Sequence, residues 1–147
     1  MRKVLLSVAP VDATDTQIDP QKIAADVATC QAAGASMVHL HVRAKDGQLT
    51  KDLAILKETV DAITSACDII IQISTGGVSN LTIQERCAAV PAKWSESHSL
   101  NVGSVNLGRA VYVNPIGDVE YCVEQILQHH KIPEIEVFEL GMIKTVQ

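Results

Sequence analysis

The stretch "MVHLHVRAKDG", Met37 to Gly47, sets two histidines one residue apart and follows them with an arginine and a turn. In a strand, side chains alternate between faces, so His39 and His41 project together while Val38, Leu40 and Val42 project the other way. Two imidazoles on one face of a rigid element make half a metal site, and zinc is the ion that suits them. The competing reading is a pair of buried, hydrogen-bonded histidines. A second group of candidates is "ISTGG". There Ser74 and Thr75 offer hydroxyls, and Gly76 and Gly77 let the backbone turn its N–H groups toward an anion. "SLNVGS" repeats the style with Asn101, Gly103 and Ser104. In "EIEVFELG" the alternation groups Glu139 with Ile135 and Val137, and sets its carboxylate at a strand's carboxyl end. Arg43, Thr75, Gly76, Gly77 and Asn101 are the candidate substrate contacts. His98, His129 and His130 carry less, the last two sitting at an expected helix end that favours a cation.

Elements that could position these residues follow from periodicity. "KVLLSVAP" reads as a first strand ended by Pro10. Pro20, capped by Asp19, opens a helix with Ile23, Val27 and Cys30 on one side and Gly34 at its end. "SMVHLHV" is a second strand. A helix over 52–66 carries Leu53, Leu56, Val60 and Ile63. "DIIIQIS" is a third strand, apolar enough to be covered on both faces. A short helix near "TIQERCAAV" leads to a fourth strand region, "SLNVGSVNLG" and "AVYVN", with a split end. "DVEYCVEQILQHH" is a helix, and "EIEVFELG" a fifth strand. Strand alternating with helix predicts crossover units and a parallel sheet in one α/β unit over residues 1–147. A closed (β/α) barrel needs eight strands and about 250 residues. The expectation is therefore either a complete five-stranded open sheet or the first part of a TIM-type barrel. Four successive strand ends carry polar or glycine-rich residues above apolar bodies, as the rim of such an active site would.

Composition narrows the function. The chain has 147 residues, is 47% hydrophobic, and carries a formal net charge of -5. An acidic chain with 3% aromatic content offers nucleic acid neither a basic surface nor stacking platforms. The four cysteines, Cys30, Cys67, Cys87 and Cys122, lack zinc-knuckle or redox-pair spacing and read as reduced thiols of a cytoplasmic protein. The apolar part of "MRKVLLSVAP" is too short for a leader, and no stretch reaches transmembrane length, so no membrane partner is expected.

Taken in order, "AGASMVHLHVR..DG", "IIIQISTGG", "SLNVGSVNLG", "VYVN" and "PEIEVFELGM" resemble the β-keto acid cleavage enzymes, whose best-known member cleaves 3-keto-5-aminohexanoate. The resemblance spans nearly the whole chain. It implies a zinc-dependent TIM barrel that exchanges acyl groups between a β-keto acid and acetyl-CoA, giving acetoacetate and a new acyl-CoA. It implies His39 and His41 as zinc ligands, and Ser74, Ser104 and Glu139 as catalytic residues. Two departures stand out. Thr14, in "VDAT", occupies the place of a glutamate in the prototype's first loop, where Asp12 or Asp15 could substitute. The family's third zinc ligand and its catalytic arginine and aspartate belong to later strands, which this chain lacks. Competing classes are a non-catalytic metal-binding or scaffold subunit and an amidohydrolase-type hydrolase, whose HxH pair usually sits on the first strand. A half-barrel leaves edges bare, so a homo-oligomer, or pairing with a C-terminal half, is expected.

Overall fold

The computed structural model describes residues 3–147. Met1 and Arg2, the start of the stretch weighed above as a leader, lie outside the described residues. The elements are β1 (Ser7–Val8), α1 (Pro20–Ala32), β2 (Met37–Leu40), α2 (Ala54–Ala66), β3 (Ile70–Ser74), α3 (Ile83–Arg86), β4 (Ser97–Asn101), β5 (Val105–Leu107), β6 (Ala110–Tyr112), α4 (Ile116–Gln128), β7 (Ile132–Glu136) and α5 (Met142–Val146). Five strands pair in parallel in the order β1-β2-β3-β4-β7, so the main sheet adds its strands in chain order.

Helix starts follow the capping chemistry. Asp19 accepts from Gln21 N and Lys22 N at 3.0 and 3.2 Å, with Pro20 in the first turn where its missing N–H costs nothing. Thr82 and Glu85 form a reciprocal capping box on α3. Gly34 leaves α1 with φ +110, a conformation that favours glycine. The helices pack on one face of the sheet. Val38, Leu40, Ile71 and Ile73 meet Val27, Leu56, Val60 and Ile63 there, and Leu100 meets Val119, Cys122 and Ile126. Each such buried aliphatic side chain contributes about 1.5–3 kcal/mol, and that apolar packing makes this the helix-covered face.

Three strand expectations need correction. The first strand is two residues long rather than the whole of "KVLLSVAP". It is an edge with one neighbour, and Val4, Leu5 and Leu6 beside it are exposed. The split end of the fourth strand is a separate antiparallel hairpin, β5–β6, turning at Gly108 with φ +61. The last strand of the sheet begins at Ile132 and ends at Glu136, so Val137 to Gly141 lie beyond it.

Candidate functional site

The face opposite the helices is polar. Register aligns His39 with Gln72, Gln72 with Ser97, Ser74 with Ser99, Ser99 with Glu134, and Asn101 with Glu136. Alternation puts Gln72 and Ser74 of β3, Ser97, Ser99 and Asn101 of β4, and Glu134 and Glu136 of β7 on this one side.

The two histidines converge. His41 lies one residue past the end of β2, yet its Nε2 is 3.4 Å from His39 Nε2, and the rings meet edge to face with centroids 5.1 Å apart. The distal nitrogens are both engaged. His39 Nδ1 is 2.7 Å from Gln72 Oε1, and His41 Nδ1 is 3.1 Å from the Gly76 carbonyl. Gln72 spends its Nε2 as donor to the Glu134 carboxylate and to Ser97 Oγ, so its Oε1 is the atom left to face His39. Both acceptors therefore call for a proton on Nδ1, and both Nε2 atoms then present lone pairs to each other. Burial, the neighbouring His39 and the Arg43 charge push His41 down to about 4, against the opposing pull of the Gly76 carbonyl, which keeps it neutral near pH 7. Two facing lone pairs repel unless a cation lies between them. Zinc with Zn–N bonds of about 2.0–2.1 Å in tetrahedral geometry sets its ligand nitrogens about 3.3–3.4 Å apart. The spacing of the two nitrogens would fit two ligands of a divalent ion. Among the described residues no group of three His, Cys, Asp or Glu is arranged to hold a metal.

The glycine turn stands next to this pair. Ser74 Oγ accepts from Gly76 N at 3.2 Å and from Ser99 Oγ at 3.4 Å, and Thr75 Oγ1 donates to the Ser99 carbonyl at 2.6 Å. Gly77 has φ +137, and a Cβ on Gly76 would sit 1.6 Å from Tyr112 Oη, so neither position accepts a side chain. Asn101 is buried, and neither its Nδ2 nor its Oδ1 has a partner. A buried amide in that state offers one donor and one acceptor to a bound molecule. A cavity of about 1110 Å³ opens beside His41, Arg43, Gly77, Asp15, Leu107 and Val111.

Other candidates lie elsewhere. Arg43 turns its Nη1 onto the Gly47 carbonyl at the rim. Ser104 is exposed and accepts from Asn114 N at 2.8 Å, at the foot of the hairpin. Glu139 is exposed in the turn before α5 and outside the strand, so the expected placement at a strand end is corrected. A one-residue change of phase moves a side chain to the opposite face, and the carboxylates on the histidine face are Glu134 and Glu136. Burial, with the Glu134 charge adding to it and His39 opposing, pushes the Glu136 carboxyl up. Gln72, Ser99, Glu134 and Glu136 were missed in the sequence. Period-two alternation from Ser74 and Asn101 marks the first two, once the strand limits are known. In the first loop, Thr14 and Asp12 satisfy each other, Thr14 Oγ1 donating to Asp12 Oδ1 at 2.6 Å. Asp15 lines the cavity.

A model of the β-keto acid cleavage enzymes ("beta-keto acid cleavage enzyme") matches residues 7–147. The chain belongs to the β-keto acid cleavage enzyme family. It is 36% identical over 125 residues to the 3-keto-5-aminohexanoate cleavage enzyme of Fusobacterium nucleatum, covering 84% of this chain and 46% of that protein. It is 38% identical to the enzyme of that name from Acetoanaerobium sticklandii, covering 84% and 45%. It is 35% identical to the 3-oxoadipate:acetyl-CoA acetyltransferase of Cupriavidus necator, covering 88% and 46%. The chain therefore spans about half the length of the curated relatives it matches. No helix among the described residues is long and apolar enough to cross a membrane.

Proposed function

We propose that this chain forms the metal-binding part of a zinc-dependent β-keto acid cleavage enzyme. The overall exchange passes the acyl group of a β-keto acid to the thiol of CoA and the acetyl group of acetyl-CoA to the released two-carbon carboxylate. The products are acetoacetate and a new acyl-CoA. The observation that carries the reading is the convergence of His39 Nε2 and His41 Nε2 at 3.4 Å, within a chain matched by the family model along residues 7–147. The names of three relatives contain acetyl-CoA, which supports it as co-substrate. A divalent ion held by the pair supplies Lewis acidity toward a ketone oxygen.

The remaining work belongs to the chain's own groups. Gln72 and the Gly76 carbonyl hold the two imidazoles in one tautomer. The Ser74–Gly77 turn, with its hydroxyls and N–H groups, receives the carboxylate or a developing oxyanion. Asn101 offers its free amide to a substrate oxygen. Glu136, half-buried with a raised pKa, is a group that can hold a proton beside the histidines. Ser104, Arg43 and Glu139 act from the rim in this reading. The strand order, with helices on one face and the polar row on the other, supports a (β/α) barrel of which these five strands form the first part. The free thiols of all four cysteines suit the cytoplasm.

Purified chain, alone and with a C-terminal half of a family member, is mixed with acetyl-CoA and a panel of β-keto acids. Formation of acetoacetate with a matching acyl-CoA is expected in at least one mixture. No product in any mixture favours a non-catalytic scaffold subunit.

A further inference from the structure

Arg86 closes α3 and is 8% exposed. Neither of the two ion pairs among the described residues, Lys51–Glu85 and Lys57–Asp61, includes it. Arginine is seldom buried without a carboxylate, because the desolvated charge then goes uncompensated. Four of its five N–H donors go to neutral oxygens. Nε donates to the Thr75 carbonyl at 2.8 Å, Nη2 to Asn114 Oδ1 at 2.9 Å and Tyr112 Oη at 3.2 Å, and Nη1 to the Val113 carbonyl at 3.3 Å. The guanidinium carbon also lies 5.3 Å from the centre of the Tyr112 ring. These contacts engage most of its donors without a carboxylate among the acceptors.

The acceptors belong to two segments that frame the glycine turn. Thr75 is inside the turn. Tyr112 to Asn114 form the end of the hairpin, and Tyr112 Oη fills the space that a Cβ on Gly76 would need. Asn114 in turn donates to the carbonyl of Asn101. One side chain therefore ties together the turn, the hairpin and the end of β4. A cavity of about 20 Å³ lies against Arg86, Ser74, Thr75 and Gly76, room for a water and not for a substrate. Arg86 thus acts on a ligand through the turn.

We propose that Arg86 is a positioning residue for an anion at the Ser74–Gly77 turn, fixing the turn's backbone and holding beneath it a guanidinium that no carboxylate pairs directly. The identity of the anion as a β-keto carboxylate rests on the proposed function; the role of Arg86 rests on its own contacts.

The full chain is titrated with acetoacetate while the Gly76 and Gly77 amide signals are followed by NMR, for wild type, Arg86→Gln and Arg86→Lys. The expected result is saturable shifts at both amides in wild type, affinity at least tenfold weaker in Arg86→Gln, and an intermediate value in Arg86→Lys, which keeps the charge and loses the fork. Added guanidinium is expected to restore part of the binding to Arg86→Gln. If Arg86→Gln melts below the working temperature, Arg86→Lys is judged instead, with a loss of threefold or more expected. Wild-type affinity in a folded variant overturns the proposal, and so does a wild type whose two amides do not respond. Response without any acyl exchange leaves the role of Arg86 standing and overturns the proposed reaction.

Discussion

The amide of Gln72 decides which nitrogen of His39 is free. Its donor end is committed to Glu134 and Ser97, so its oxygen must meet Nδ1, and Nε2 turns to its partner histidine. A partner of this kind typically changes metal affinity 10–100-fold. Gln72→Leu is accordingly expected to weaken zinc binding by about that factor, since it frees the His39 tautomer and strips Glu134 of its donor. Zinc titration of the variant checks this, and an unchanged affinity would show that the ring needs no such support. The histidine pair was legible in the sequence because residues two apart share a face along a strand, and His41, one residue past the end of β2, still meets His39. Gln72 was not, since a glutamine inside "IIIQIS" looks like an interruption until its neighbours in register are known.

At the scale of elements, helices were easier to read than strands. Asp19 and Pro20 announce α1 by local chemistry, and the cap forms as expected. Strand limits depend on partners that are distant in sequence. The edge strand β1 pairs on one side alone and shrinks to two residues. The β5–β6 hairpin was hidden inside what looked like one broken strand. In β7 the residues that face the histidines are Glu134 and Glu136 rather than the set that includes Ile135, and the choice of carboxylate changes with that. The same edges carry a prediction. Val4 is 79% exposed beside β1, and Phe138 and Leu140 are 54% and 86% exposed after β7. Unpaired strand edges flanked by apolar side chains favour association. Light scattering is expected to give a mass above that of one chain, and a stable monomer at micromolar concentration would count against it.

For the molecule as a whole, a buried histidine on the helix face makes stability depend on acid. His98 sits on the helix side, fully buried, with Nε2 3.1 Å from Ser95 Oγ. Burial, and the charge of Lys131 after it, push its pKa down from 6.5 to about 4. Between those values the unfolded chain binds the proton and the folded chain does not, so stability rises with pH across the window. The penalty is complete below about pH 4 and absent above about 6.5. It amounts to about 3 kcal/mol at 1.36 kcal/mol per unit. Urea unfolding of wild type and His98→Gln between pH 4 and 7 is expected to show a shallower slope in the variant; parallel slopes would show that His98 contributes no such term. A parallel sheet in an α/β unit was legible in alternation and spacing. The polar row across β2, β3, β4 and β7 was not, because it is a property of register.

His39 and His41 are predicted to present two lone pairs to one divalent ion. Calorimetric titration of metal-free protein with Zn²⁺ tests it most directly. One binding event per chain is expected in the wild type, absent from the His39→Ala, His41→Ala double variant. Equal uptake by both proteins would contradict it.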